Sequence, residues 1–270
     1  MARAKEVYKY ALITMLLFVI HTPVESYIHS SIQKTSKKIV VQENPKKIEG
    51  QTIQNQTTQN KQDNTNTPVV QDKAMLTNVP LIQQLPDLDR GCEVTSLAML
   101  FQYAGKSVDK MTLANEIDKV PFHDGDMHGN PNEGFVGNIY TFSESGYGVY
   151  HEPIFKLAEK YLPNQAVDLT GKSIDEVYKM LQAGAPVWVI TNATFAPLDE
   201  SEFETWNTDS GSIQITYREH SVLITGYDQN SVYVNDPLED QPNIALPRAA
   251  FEEAWAQMGS QAISYVVKKS

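Results

Sequence analysis

The chain has 270 residues, of which 41% are hydrophobic and 20% are charged, and its formal net charge is −11. Residues 1–77 carry ten basic and six acidic side chains, whereas residues 78–270 carry twelve basic and twenty-seven acidic ones. This acidic surplus argues against nucleic acid and anionic lipid surfaces as partners of the C-terminal part, because both would be repelled. The single cysteine, Cys92, excludes an intramolecular disulfide framework.

The N-terminal segment has the order of an export signal. Arg3, Lys5 and Lys9 precede an apolar run at residues 10–20, which is short for the about twenty residues of a bilayer-spanning helix. No small-x-small cleavage site follows the run. We therefore expect residues 1–29 to be either a cleaved signal peptide or an uncleaved signal anchor. Both alternatives place the rest of the chain outside the cytoplasm, secreted or membrane-anchored, with this segment as the only membrane contact.

Composition divides the remainder into two parts. Residues 30–77 are rich in Gln, Asn, Thr and Lys, and their apolar content is too low to offset the entropy of folding. We expect a disordered linker there, of about 40 Å root-mean-square span for about fifty flexible residues. Residues 78–270 have the patterning of one folded domain.

Hydrophobic periodicity predicts helices first and antiparallel strands second, which is an α+β order. Ser173 begins a predicted capping box, and Pro247 is predicted at the start of the last helix. The predicted helices are residues 92–104, 110–118, 153–161, 173–184 and 247–258; the predicted strands are 186–191, 213–217, 221–227, 231–235 and 262–267.

Cys92, His220 and Asp236 form a candidate set for nucleophilic catalysis. Cys92 stands at a predicted helix start, where unpaired N–H groups and the helix dipole favour a thiolate. His220 lies 128 residues later, and the following hairpin brings Asp236 to the same end of the strands. We expect Asp236 to accept Nδ1–H of the imidazole and to orient the base. Papain-type enzymes space these partners by roughly 130–150 residues.

Acyl transfer also needs hydrogen-bond donors for the oxyanion. The backbone N–H of Cys92 is one candidate. The side-chain amide of Gln84 is the second, and Gln83 is an alternative to it.

Several motifs together resemble the C39-like cysteine peptidases, relatives of the double-glycine peptidases that trim bacteriocin leaders. They are Val-Pro-Leu-Ile-Gln-Gln at residues 79–84, Gly-Cys-Glu-Val-Thr-Ser-Leu-Ala-Met at 91–99, Glu-His-Ser-Val at 219–222 and Val-Asn-Asp-Pro at 234–237. The resemblance implies a papain-like fold, with a Cys-bearing central helix packed on an antiparallel sheet. It also implies Cys92, His220 and Asp236 as the triad and Gln84 as the oxyanion donor. Unlike the bacteriocin processors, which commonly carry Asp before the cysteine, this chain has Gly91.

These observations predict an extracytoplasmic cysteine peptidase that hydrolyses a peptide bond through a thioester. A peptide or protein is the expected substrate, the chain is expected to be a monomer, and no cofactor is required. A transglutaminase-like acyltransferase and a non-catalytic peptide- or wall-binding module remain alternatives on the same fold. His123 and His128 belong to a loop whose spacing matches no closed metal site, so no metal is expected. His151 is expected to be structural.

Overall fold

The computed structural model describes residues 71–268, so the predictions for residues 1–29 and for most of the linker lie outside the described residues. Five helices follow one another in the described chain. Their bounds are α1 Cys92–Tyr103, α2 Lys110–Glu116, α3 His151–Tyr161, α4 Ile174–Gln182 and α5 Arg248–Gln257. No helix in this part of the chain is both long and apolar enough to cross a membrane.

The strands form one main antiparallel sheet and three small pairings. In the main sheet the order is β12, β11, β10, β7, β13 and β6, with the short β1 beside the end of β10. The strands are β1 Ala74–Met75, β2 Lys119–Val120, β3 His123–Asp124, β4 Met127–His128, β5 Phe135–Val136, β6 Ala166–Asp168, β7 Val187–Asn192, β8 Glu204–Thr208, β9 Gly211–Ile215, β10 Glu219–Tyr227, β11 Ser231–Asn235, β12 Ile244–Pro247 and β13 Ala262–Tyr265.

Helix α1 forms the centre of the domain because it is apolar on all sides. Every residue from Cys92 to Phe101 is buried, and the helix packs on β10 and β7. Leu97, Leu100 and Phe101 are fully buried there, and each such side chain contributes about 1.5–3 kcal/mol to folding. Helix α1 is thereby held rigidly against the strand that carries His220.

The folded domain begins earlier than residue 78, so the predicted linker boundary is wrong. Ala74 and Met75 pair antiparallel with Tyr227 and Gly226, and Leu76 is buried in the main core. The pairing requires Gly226, because a Cβ there would lie 2.8 Å from the carbonyl oxygen of Ala74. The strand is only two residues long and follows the polar residues Gln71, Asp72 and Lys73, so the polar composition of the linker hid it.

The predicted helices and the late strands are present, with ends that differ by a few residues. One local prediction is wrong. Ser173 occupies the N-cap of α4, but its side chain makes no capping hydrogen bond. Pro247 stands at the start of α5 as predicted, where it is the N-cap and also the last residue of β12.

Candidate active site

The hairpin of β10 and β11 brings His220 and Asp236 together, as the sequence predicted. Leu223 pairs with Asn235 across the hairpin. Continuing this register places Asp236 two residues along β10 from the position opposite His220. His220 Nε2 lies 2.9 Å from Asp236 Oδ1, and both side chains are buried. The carboxylate contacts Nε2, so the predicted contact through Nδ1 is wrong. Nδ1 is the ring nitrogen that is not bonded to Asp236.

Cys92 is the first residue of α1 and packs against the start of β10. Ser96, one turn further along α1, donates its hydroxyl to the carbonyl oxygen of Ser221 at 3.1 Å. The preceding Gly91 has no room for a side chain, since a Cβ would lie 2.5 Å from Cβ of the fully buried Leu88. The close turn at Gly91 thus fixes where the helix and its cysteine begin.

The Cys92 thiol hydrogen-bonds to a carboxylate in this structure. Its Sγ lies 3.3 Å from Glu93 Oε2, and within residues 71–268 it makes no hydrogen bond to His220. Burial raises the pKa of the Cys92 thiol well above its ordinary value, and the nearby Glu93 and Glu219 raise it further. The backbone N–H of Ser221 acts in the opposite direction. The lowered thiol pKa expected from the helix start is therefore wrong for this resting arrangement.

Glu93, which is buried, and Glu219, which is partly buried, form an acid pair beside the thiol. Glu93 Oε1 accepts the backbone N–H of Val149 at 2.8 Å. Oxygens of both carboxyl groups contact Gly148, where an added Cβ would lie 2.7 Å from Glu93 Oε1 and 2.9 Å from Glu219 Oε2. Burial raises the pKa of Glu93 to about 7, against the hydrogen bonds from Val149 and Cys92 and the charge of His220. Burial and the neighbouring Glu93 raise the pKa of Glu219 well above its ordinary value.

Gln84 lies beside Asp236 but does not present a free amide donor. The segment before α1 runs along the segment after β11, where the N–H of Gln84 donates to the carbonyl oxygen of Pro237 at 2.9 Å. The side-chain Nε2 of Gln84 already donates to the carbonyl oxygens of Leu88 and Asp89, at 3.3 and 3.2 Å. Gln83 donates its amide to the carbonyl oxygen of Glu239. An oxyanion role for either glutamine stays a prediction that requires its amide to turn.

The chain is similar to known proteins in both sequence and structure. The sequence model of the Peptidase_C39 like family matches residues 76–263. The chain belongs to this family. It is 52% identical over 179 residues, covering 66% of this chain and 70% of the relative, to the uncharacterized protein YvpB of Bacillus subtilis (strain 168). A crystal structure described as a C39-like peptidase from Bacillus anthracis is 68% identical, with a TM-score of 0.72, over 74% of this chain and 100% of that one.

Membership in the C39-like family confirms the resemblance and the α+β, papain-like fold predicted from the sequence. The prediction did not single out Glu93 and Glu219, although each is adjacent to a predicted catalytic residue in a quoted motif. Glu93 is one of the two charged or amide side chains in an otherwise largely apolar α1. Glu93 could have been recognised as a site residue from this placement, because a charge on a buried helix needs a partner.

Two further histidine sites of the C39-like domain are separate from Cys92. His123 and His128 pair across the β3–β4 hairpin, and His128 stacks on Trp206 with ring centroids 4.1 Å apart. His151 Nδ1 lies 2.9 Å from Asp168 Oδ2, beside a cavity of about 320 Å³ whose lining does not include the candidate triad.

Proposed function

We propose that this C39-like protein is a cysteine peptidase in which Cys92 is the nucleophile, His220 the base and Asp236 the residue that orients the base. The observation that carries the proposal is the buried contact of His220 Nε2 with Asp236 Oδ1 at 2.9 Å. This contact stands at the start of β10, against which the Cys92 end of α1 is packed. A buried His–carboxylate pair beside a cysteine at a helix start is the arrangement that thiol acyl transfer uses.

Acylation follows from the roles of these groups. Because Nε2–H is donated to Asp236, Nδ1 of His220 is an acceptor and takes the proton from the Cys92 thiol. The sulfur then forms a bond to the scissile carbonyl carbon, and the carbonyl oxygen becomes an oxyanion. The backbone N–H of Cys92 at the helix start stabilises this charge. His220 returns the proton to the leaving amine as the C–N bond breaks, which leaves a thioester on Cys92.

Deacylation repeats the steps with water as the nucleophile. His220 accepts a proton from water, the hydroxide oxygen bonds to the thioester carbon, and the thiol leaves with a proton from His220. If an amine takes the place of water, the same thioester gives acyl transfer instead of hydrolysis. The substrate class we propose is a peptide or protein, and the chain acts as a monomer.

The proposed place of action is outside the cytoplasm. The basic residues and apolar run within residues 1–29 support export, with membrane contact restricted to that segment. N-terminal sequencing of the mature protein tests this point. A start between residues 23 and 30 indicates cleavage and secretion, and an intact N-terminus in the membrane fraction indicates an anchor. A protein recovered only from the cytoplasm contradicts the proposal.

A peptide-library digest tests the activity. The full chain and its Cys92→Ala and His220→Ala variants are incubated with the library, and products are read by mass spectrometry. We expect cleavage by the native chain only, with new carboxyl and amino termini and with peptides trapped as thioesters when the reaction is stopped in acid. Products joined through a new amide bond mean acyl transfer. Equal products from native chain and Cys92→Ala, or none from either, reject the proposal.

A further inference from the structure

The Cys92 thiol lies beside two acidic side chains that the proposed mechanism does not use. Sγ of Cys92, a carboxyl oxygen of Glu93 and a carboxyl oxygen of Glu219 all lie within 4.8 Å of one another. The hydrogen bond of the thiol goes to Glu93 at 3.3 Å. The nucleophile is therefore held by an acid instead of by the base.

The acid pair has few groups to compensate its charge. Among the described residues, no Lys or Arg forms an ion pair with Glu93 or Glu219. Glu219 Oε1 is buried without a hydrogen-bond partner in the described chain. Two buried carboxylates this close cannot both ionise freely, because each repels the charge of the other. The pair consequently retains a proton over part of the neutral pH range.

The groups that face the acid pair come from each surrounding segment. From α1 there is the Cys92 thiol, and from β10 there is His220, the one facing group that becomes cationic. From the segment before α3 there are the phenols of Tyr147 and Tyr150, whose hydroxyls lie 3.0 Å apart. From β7, Asn192 pairs with Glu219 and is uncharged, while Trp188 donates its indole N–H to the backbone carbonyl of Glu93.

We propose that Glu93 is a positioning residue that keeps the Cys92 thiol protonated in the resting enzyme, and that the carboxyl group of Glu219, within 4.8 Å of the sulfur, adds to this effect. A carboxylate 3.3 Å from sulfur accepts the thiol hydrogen and repels a thiolate in the same place. Adding a proton to the pair removes that repulsion. The thiol then ionises more easily and becomes available to Nδ1 of His220.

The inference rests on Cys92 being the nucleophile of the proposed peptidase, but its test needs no substrate. Alkylation by iodoacetamide is followed from pH 5 to pH 10 on the full chain, with EDTA present to keep divalent cations off the three donor atoms. We expect the native thiol to titrate above the free-thiol value of about 8.5. Glu93→Gln is expected to lower the apparent thiol pKa by at least one unit and to raise the alkylation rate at pH 7 about tenfold or more.

Glu219→Gln is the second variant, and it is expected to shift the profile in the same direction, because Glu219 itself raises the pKa of the Cys92 thiol. It keeps the test valid if Glu93→Gln does not fold, because Glu219 Oε1 has no partner to lose. Glu252→Gln is the matched control, since Glu252 is a partly buried carboxylate bonded to Tyr178 and Arg248. Its profile should equal the native one.

Two outcomes overturn the inference. One is an unchanged profile in a folded Glu93→Gln or Glu219→Gln protein. The other is a native thiol that titrates below about pH 7 and loses this reactivity in His220→Ala, which is the behaviour of a thiolate–imidazolium pair. Neither result contradicts the peptidase proposal. A shifted profile in the variants, together with no peptide cleavage by the native chain, would reject the peptidase proposal and leave the inference about Glu93 intact.

Discussion

Asp236 holds His220 through one carboxylate oxygen that has two donors. Oδ1 of Asp236 lies 2.9 Å from His220 Nε2 and also accepts the backbone N–H of Leu238 at 2.9 Å. Both side chains are almost fully buried, with His220 3% and Asp236 5% exposed. The carboxylate is therefore held by a neighbouring backbone N–H as well as by the imidazole, as the proposed orienting role requires.

Replacing Asp236 with Asn tests this orienting role. We expect turnover to fall but to remain above that of Cys92→Ala, because an amide oxygen still accepts Nε2–H. The measurement is kcat on a peptide found in the library digest. Asp168→Asn is a matched control, since Asp168 also binds a histidine at 2.9 Å, and it should leave kcat unchanged. Complete loss in a folded Asp236→Asn protein means that the carboxylate charge is essential.

The raised pKa of Glu93 makes the stability of the domain depend on pH. Its folded pKa is about 7, against about 4.3 for an unperturbed Glu. Between these values the folded state keeps a proton that the unfolded state releases, so the free energy of unfolding falls as pH rises. We expect the raised pKa of Glu93 to contribute a fall of about 2–3 kcal/mol from pH 5 to pH 8, measured by urea unfolding. The fall should be smaller in Glu93→Gln, where only Glu219 of the pair keeps a raised pKa. If the free energies of unfolding of the native and Glu93→Gln proteins differ by the same amount at every pH, the prediction is wrong.

Adding a methyl group at Gly91 should destabilise the domain. In Gly91→Ala the new Cβ meets Cβ and Cδ1 of Leu88, at 2.5 and 2.6 Å, and Leu88 is fully buried. We expect a loss of about 1–3 kcal/mol, the usual cost of overpacking. Leu88→Gly in the Gly91→Ala background should cost less than Leu88→Gly alone, because only glycine at position 88 removes both Cβ and Cδ1. Additive changes in a double-mutant cycle would show that the clash does not occur.

The strand at residues 74–75 predicts where the domain can be cut. A chain that starts at Asn78 loses the pairing of β1, the 2.9 Å hydrogen bond from Leu76 N–H to Thr225, and the burial of Leu76. We expect its free energy of unfolding to be about 2–4 kcal/mol lower than that of a chain that starts at Gln71. Thermal melts of the two chains give the comparison. Equal melting temperatures would show that β1 lies outside the cooperative unit.

The fold was largely predictable because its main signals are local. Helical periodicity marked α1, a polar turn marked the β10–β11 hairpin, and the hairpin itself placed Asp236 near His220. The short strands were not predictable, because two-residue pairings such as β1 have no period. The existence of β1 depends on β10, a partner strand distant in sequence.

The state of the thiol was not predictable from its neighbours in sequence. The helix start favours a thiolate at Cys92, but burial and two carboxyl groups outweigh it. One of these groups, Glu219, is 127 positions away from Cys92 in the chain. The packing of α1 on β10 brings the two acids together, and Gly148 lies against both of them.

The pairing of β1 with the far end of β10 also fixes the side from which residues 71–73 enter the sheet. Ala74 is aligned with Tyr227 and Met75 with Gly226, so the chain before Ala74 comes from beyond the end of β10 that is opposite to His220. Seven residues of extended strand between His220 and Tyr227 correspond to about 23 Å. A pulling force applied at Gln71 would therefore load the sheet at about that distance from His220.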